Sequence, residues 1–116
     1  MTTNKLFLSI ITLTKNDSDK FIKTLENISS QKNDFSFEWI IIDGSNNYKQ
    51  QKNNLIIKEK FKNNKNIFIN HVNAKKRKIS GIYPCMNYGK NIAKGKFFIF
   101  LNSGDIFFSS NTLKLV

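Results

Sequence analysis

An α/β fold, with a mostly parallel sheet flanked by helices, is the architecture this 116-residue chain predicts. Three features predict it. Apolar, β-branched runs at residues 6–13, 37–43, 66–72 and 97–101 have the length and composition of strands, and the first two are apolar almost without a break, as in strands covered on both faces. The segments between them carry apolar residues at helical spacing or follow helix-start signals. Strand, helix, strand in that order closes through a right-handed crossover into a parallel pair, which brings the carboxyl ends of the strands to one edge.

Taken in order, residues 6–13 (LFLSIITL) form the first strand, broken by Thr14-Lys15-Asn16-Asp17-Ser18, whose short polar side chains favour a turn or a helix cap. Asp17 or Ser18 is the expected cap. From 19 to 30, Phe21, Ile22, Leu25 and Ile28 make one apolar face of an amphipathic helix. A loop at 31–36 leads to the second strand, 37–43 (FEWIIID), which ends in Asp43 and the turn residues Gly44-Ser45-Asn46-Asn47. A second helix is expected over about 49–61 from Leu55, Ile56, Ile57 and Phe61, in a segment whose asparagines are poor helix formers. A third strand covers 66–72.

The basic run Ala74-Lys75-Lys76-Arg77-Lys78 reads first as a solvated loop and second as a clamp on ligand phosphates. His71 reads as a structural histidine. Residues 80–94 form a turn and a third helix, with Pro84 in its first turn and Gly95 as its stop. The fourth strand, 97–101, runs into Asn102-Ser103-Gly104-Asp105, delivering a carboxylate to the edge where open α/β sheets bind ligands. Residues 109–116 begin a further helix, capped by Ser110 or Asn111.

Composition narrows the function. A length of 116 residues fits one domain, 1–116. The single cysteine, Cys85, forms no internal disulfide, and no Cys/His cluster offers a zinc site, so the expected compartment is the cytoplasm, free or peripheral at the inner face of the membrane. No segment has the length of a bilayer span or the layout of a signal peptide. A net charge of +11 predicts attraction to anions, but lysine is scattered among asparagines and no base-reading module accompanies it, so nucleic acid is not the expected partner. Neither G-x-x-x-x-G-K nor G-x-G-x-x-G follows the first strand, which argues against P-loop and dinucleotide folds.

Four motifs in order carry a resemblance. Ser9-Ile10-Ile11-Thr12 with Asn16; Glu38-Trp39-Ile40-Ile41-Ile42-Asp43-Gly44-Ser45; Gly81-Ile82-Tyr83 with Met86-Asn87-Tyr88-Gly89 and Ala93-Lys94-Gly95-Lys96; and Leu101-Asn102-Ser103-Gly104-Asp105 together resemble the family-2 glycosyltransferases of the GT-A, Rossmann-like fold. The nearest flavour is the branch that assembles colanic-acid-type exopolysaccharide and capsule. The resemblance implies a nucleotide-sugar donor, UDP-linked, with Asp43 on the uracil ring, Thr12, Thr14, Asn16, Gly44 and Ser45 around the nucleotide, and Asn102 in place of the first acid of the D-x-D type motif. Asn87 is expected to shape the donor site from the helix behind it. Asp105 occupies the position that binds Mg²⁺ or Mn²⁺ against the diphosphate, where a hard cation serves as a Lewis acid on the leaving group.

The same resemblance implies a saccharide or lipid-linked acceptor and an acceptor-binding half beyond this donor-binding half, with the general base in that further half and outside these residues. A missing subunit or a second copy of the chain is the corresponding partner, and exposed apolar surface is expected where it would pack. Two features depart from the pattern: Pro84-Cys85 follow Gly-Ile-Tyr where relatives place an acid and alanine, and Lys76-Arg77-Lys78 stand where relatives are acidic. Two other readings stay open, a non-catalytic relative that binds nucleotide-sugar or a partner, and a basic module for anionic surfaces.

Overall fold

The computed structural model describes residues 7–31, 36–64 and 66–107. Seven elements follow one another as β1 (Leu8–Thr14), α1 (Ser18–Ser29), β2 (Phe37–Asp43), α2 (Asn47–Phe61), β3 (Ile67–Asn73), α3 (Ile82–Ile92) and β4 (Phe97–Phe100). The expected helix at 109–116 lies outside the described residues. The four strands form one parallel sheet in the order β3-β2-β1-β4. The chain winds outward from β1 through β2 to β3 and then returns to the far side of β1. The sheet is thus of the Rossmann-like kind, and its order reverses between β1 and β4, where such sheets open a crevice.

That reversal sends the helices to opposite faces. Phe21, Leu25 and Ile28 of α1 and Ile57 and Phe61 of α2 pack with Ile10, Trp39 and Ile41 on one face. On the other, Cys85, Tyr88 and Ile92 of α3 pack on Ile11, Ile40 and Ile42. Every residue of β2 is buried, which explains why its sequence shows no polar alternation. Trp39 anchors the first face, stacked on Phe21 with ring centroids 5.7 Å apart and meeting Phe61 edge-on at the same separation.

Helix ends and glycines refine the expectations. Asp17 is the residue before α1, but its side chain makes no cap and instead accepts from the Thr14 hydroxyl and from Lys15 N–H (3.3 Å). Asn46 does cap α2, its side chain accepting from Lys49 N–H at 2.9 Å. Gly95 does not terminate α3, which ends at Ile92 with Ala93 extended, and its φ is not positive. Its lack of a side chain serves close packing on β1. Among the described residues no helix is long and apolar enough to cross a membrane.

Candidate functional site

Register decides what meets at the carboxyl edge. Thr14, Asp43 and Asn73 are level across β1, β2 and β3, and Ser103 N–H donates to Leu13 O (3.2 Å), bringing the 102–105 turn alongside. These ends enclose a cleft of about 460 Å³. Leu13, Ile42, Ala74, Ile79 and Cys85 give it an apolar wall, while Thr14, Lys15, Lys75, Asn102 and Ser103 supply polar groups. An apolar body with a few convergent polar groups is the usual form of a small-molecule site.

Asp43 sits under this edge, fully buried, as the node of a hydrogen-bond network. Its Oδ1 accepts from Ser45 N–H (2.8 Å), and its Oδ2 accepts from His71 Nε2–H (2.7 Å) and Asn53 Nδ2–H (3.1 Å). Burial pushes its pKa up, but the hydrogen bonds from His71, Ser45 and Asn53 outweigh burial and hold the carboxyl below its ordinary value. Gln50 adds bonds from its amide to Asp43 O, Ser45 O and Asn73 Oδ1, each 3.0 Å. In donating to Asp43, Asn53 turns its own Oδ1 into a buried position without a hydrogen-bond partner.

The network reaches the β1 loop through Ser45. Ser45 Oγ accepts from Asn16 N–H (2.8 Å), Asn46 N–H donates to Asn16 Oδ1 (3.0 Å), and Lys49 Nζ donates to Asn16 O (3.2 Å). Asn16 needs this support because it lies in the left-handed region, with φ +55°. On the β4 side, Asn102 N–H donates to Asp105 Oδ2 (3.0 Å) and Asp105 N–H to Asn102 O (2.8 Å). Thr24, buried on α1, ties this turn down, donating to Asp105 O (2.8 Å) and accepting from Gly104 N–H (2.9 Å). Gly104, at φ +94°, permits the turn.

Of the expected nucleotide-site residues, Thr14, Gly44 and Asn102 line the cleft. Asn16, Asp43 and Ser45 form the bonded layer behind it. Asn87 is exposed on α3, outside the cleft lining. Thr12 is wholly buried beneath the edge, its hydroxyl donating to Leu101 O (2.6 Å) and accepting from Trp39 Nε1–H (2.8 Å). It braces β1 against β2 and the end of β4. Thr12→Val, which keeps the shape and deletes both bonds, is expected to destabilise the protein by about 2–3 kcal/mol, because each abandoned buried group costs about 1–3; urea denaturation measures it, and a cost below about 0.5 would show the bonds to be worth little.

Four participants carried no signal or a weak one in the sequence. Thr24 shows only as a hydroxyl inside an apolar helical stripe, Gln50 and Asn53 as polar residues in a polar helix, and Lys15 as one lysine among many. Lys15 lies with its stem alongside Gly44, and its charge is felt by Cys85 across the cleft. Burial pushes the Cys85 thiol up, and Lys15 opposes that in part.

The described side chains do not by themselves form a cage for a divalent cation. Among the described residues no three His, Cys, Asp or Glu side chains come together as a metal-holding group. Asp105 is exposed, outside the cleft lining, with one oxygen engaged by Asn102 N–H. Asp17, the carboxylate that does line the cleft, spends one oxygen on Thr14 and Lys15.

No protein-family model and no curated protein matches the chain. Solved structures do. Staphylococcus aureus TarS matches 94% of this chain with a TM-score of 0.64 and 26% identity. TarS 1–349 in complex with UDP matches the same 94%, again with a TM-score of 0.64 and 26% identity. TarS 1–349 in a further structure covers 87% of the chain with a TM-score of 0.60 and 24% identity. The chain spans 18% of the longer TarS and 28–30% of the shorter form. The parallel sheet and its flanking helices therefore make a glycosyltransferase-like α/β fold.

Proposed function

We propose that the carboxyl-edge cleft is the donor site of a glycosyltransferase and takes a nucleotide-sugar, with UDP as the carrier. The observation that carries this reading is the cleft's place at the reversal of strand order in a fold that matches UDP-bound TarS over 94% of the chain. Thr14, Gly44 and Asn102 face the ligand, while Asp43, through Ser45 and Asn16, fixes the β1 loop that borders it. In this reading the acceptor is a saccharide or a lipid-linked saccharide of surface polysaccharide synthesis, and the general base comes from outside these residues.

Ile82 and Tyr83 at the start of α3 and Phe97 and Phe98 on β4 are exposed, which supports a second reading in which the domain works against a partner or another copy of itself.

Cys85, the only cysteine of the chain, reports on the cleft directly. Its raised pKa makes alkylation slow at neutral pH and faster as pH rises. Saturating UDP is expected to slow modification of Cys85 in the folded protein about tenfold or more, while uridine alone protects less. UDP that binds by calorimetry yet leaves the alkylation rate unchanged would place the nucleotide elsewhere. Absence of UDP binding would end the donor-site reading.

A further inference from the structure

We propose that this cleft neutralises a diphosphate with lysine side chains, Lys15 and Lys75 with the basic turn behind Lys75, in place of a divalent cation. The inference rests on the donor-site reading for the nucleotide but not for the anion. Lys15 and Lys75 line the same cleft, following different strands, β1 and β3, so one ligand bound there lies within reach of both side chains. Neither ammonium forms an ion pair among the described residues, where the pairs are Lys62–Glu59 and His71–Asp43. A cleft with two uncommitted cations, one carboxylate partly engaged and an apolar wall is built for an anionic ligand.

The basic turn is wound by its own hydrogen bonds and anchored to the end of β3. Arg77 N–H donates to Asn73 O (3.2 Å), Lys78 N–H to Lys75 O (3.1 Å) and Ile79 N–H to Ala74 O (2.9 Å). Asn73 Oδ1 accepts from Lys76 N–H (3.1 Å) and from Gln50 (3.0 Å), which joins the turn to the layer around Asp43. Lys78 takes a left-handed φ of +57° so that the chain can turn back to Ile79 and the cleft wall. Residues 75–78 are all exposed, and Lys75 among them lines the cleft. Acidic ligation is weak by comparison: Asp105 stands outside the lining and Asp17 is bonded to its own loop.

Calorimetric titration of the whole chain with UDP and, separately, with inorganic pyrophosphate tests this, each in EDTA and in Mn²⁺. Both probes are expected to bind in EDTA with affinities within about threefold of those in Mn²⁺. Lys15→Gln and Lys75→Gln should each weaken both probes about tenfold, as loss of one charge-assisted bond does. Lys15→Arg and Lys75→Arg should restore most of the loss, and moderate salt should weaken the parent more than the double Gln variant. These lysines are exposed at the cleft, and unchanged thermal midpoints would exclude misfolding as the cause.

Binding of either probe only with Mn²⁺, or affinities untouched in the double Gln variant, would overturn the proposal. Pyrophosphate bound without metal through the lysines, with UDP no tighter, would uphold it while removing the nucleotide reading. Failure of both probes to bind under every condition would remove both.

Discussion

Asp43→Ala is expected to destabilise the protein by about 3–5 kcal/mol, the scale for removing one partner of a buried charge network. That is a large share of the roughly 5–15 kcal/mol that holds a typical domain folded. Asp43 is fully buried, and its loss strands Ser45 N–H, the His71 ring and the Asn53 amide together. The damage spreads toward the cleft, because Ser45 also supports Asn16 in its left-handed conformation. Urea denaturation at pH 7 measures the effect, and a variant within about 1 kcal/mol of the parent would show that the network is dispensable.

The pH dependence has a definite sign. The folded carboxyl is held below its ordinary value, so its contribution is fully present above the unfolded pKa of about 3.9 and is lost as pH falls through the folded pKa. The stability gap between the parent and Asp43→Asn is therefore expected to be widest near neutrality and to close on acidification below about pH 4. A gap that held constant down to pH 2 would mean that the carboxylate charge contributes nothing.

The same network explains what the sequence disclosed and what it withheld. The second strand is legible to the residue, 37–43, because burial on both faces writes a continuous apolar run. Helix α2 is blurred because Gln50 and Asn53 occupy two of its buried positions, with Ile57 and Phe61, while Leu55 is exposed. Those two amides are worth burying only opposite Asp43 and Asn73, and that pairing is a property of the assembled sheet. His71 looks structural in the sequence, and its hydrogen-bond partner Asp43 sits on the neighbouring strand at a separation no local pattern encodes. Strand ends deliver Asp43, Asn102 and Asp105 to one edge as expected. Which of them faces the cleft depends on bonds to Thr24, Ser45 and the β1 loop.

Gly95→Ala is expected to cost about 3 kcal/mol, at the upper end for overpacking a filled interior. A methyl group built on Gly95 would stand 2.6 Å from Ser9 Oγ and 2.7 Å from Leu8 C and Ser9 N. Two of those collisions are with the backbone of β1, which is paired on both sides to β2 and β4 and cannot retreat without breaking the sheet. Gly95 N–H also donates to Ser9 Oγ (2.8 Å), and the adjoining Lys94 N–H donates to the Glu38 carboxylate (3.2 Å), so the approach is fixed from both sides. Gly89 supplies a control with different physics. Its added methyl would meet Ile11 Cγ2 at 2.6 Å, a side-chain atom. Ile11→Leu, which has no Cγ2, should therefore recover part of the stability lost in Gly89→Ala, whereas Ser9→Gly should recover little of that lost in Gly95→Ala. Thermal midpoints of the four variants and the two pairs decide it. Full rescue of Gly95→Ala by Ser9→Gly would show that the hydroxyl, and not the strand backbone, sets the spacing by which β4 and the 102–105 turn are aligned with the cleft.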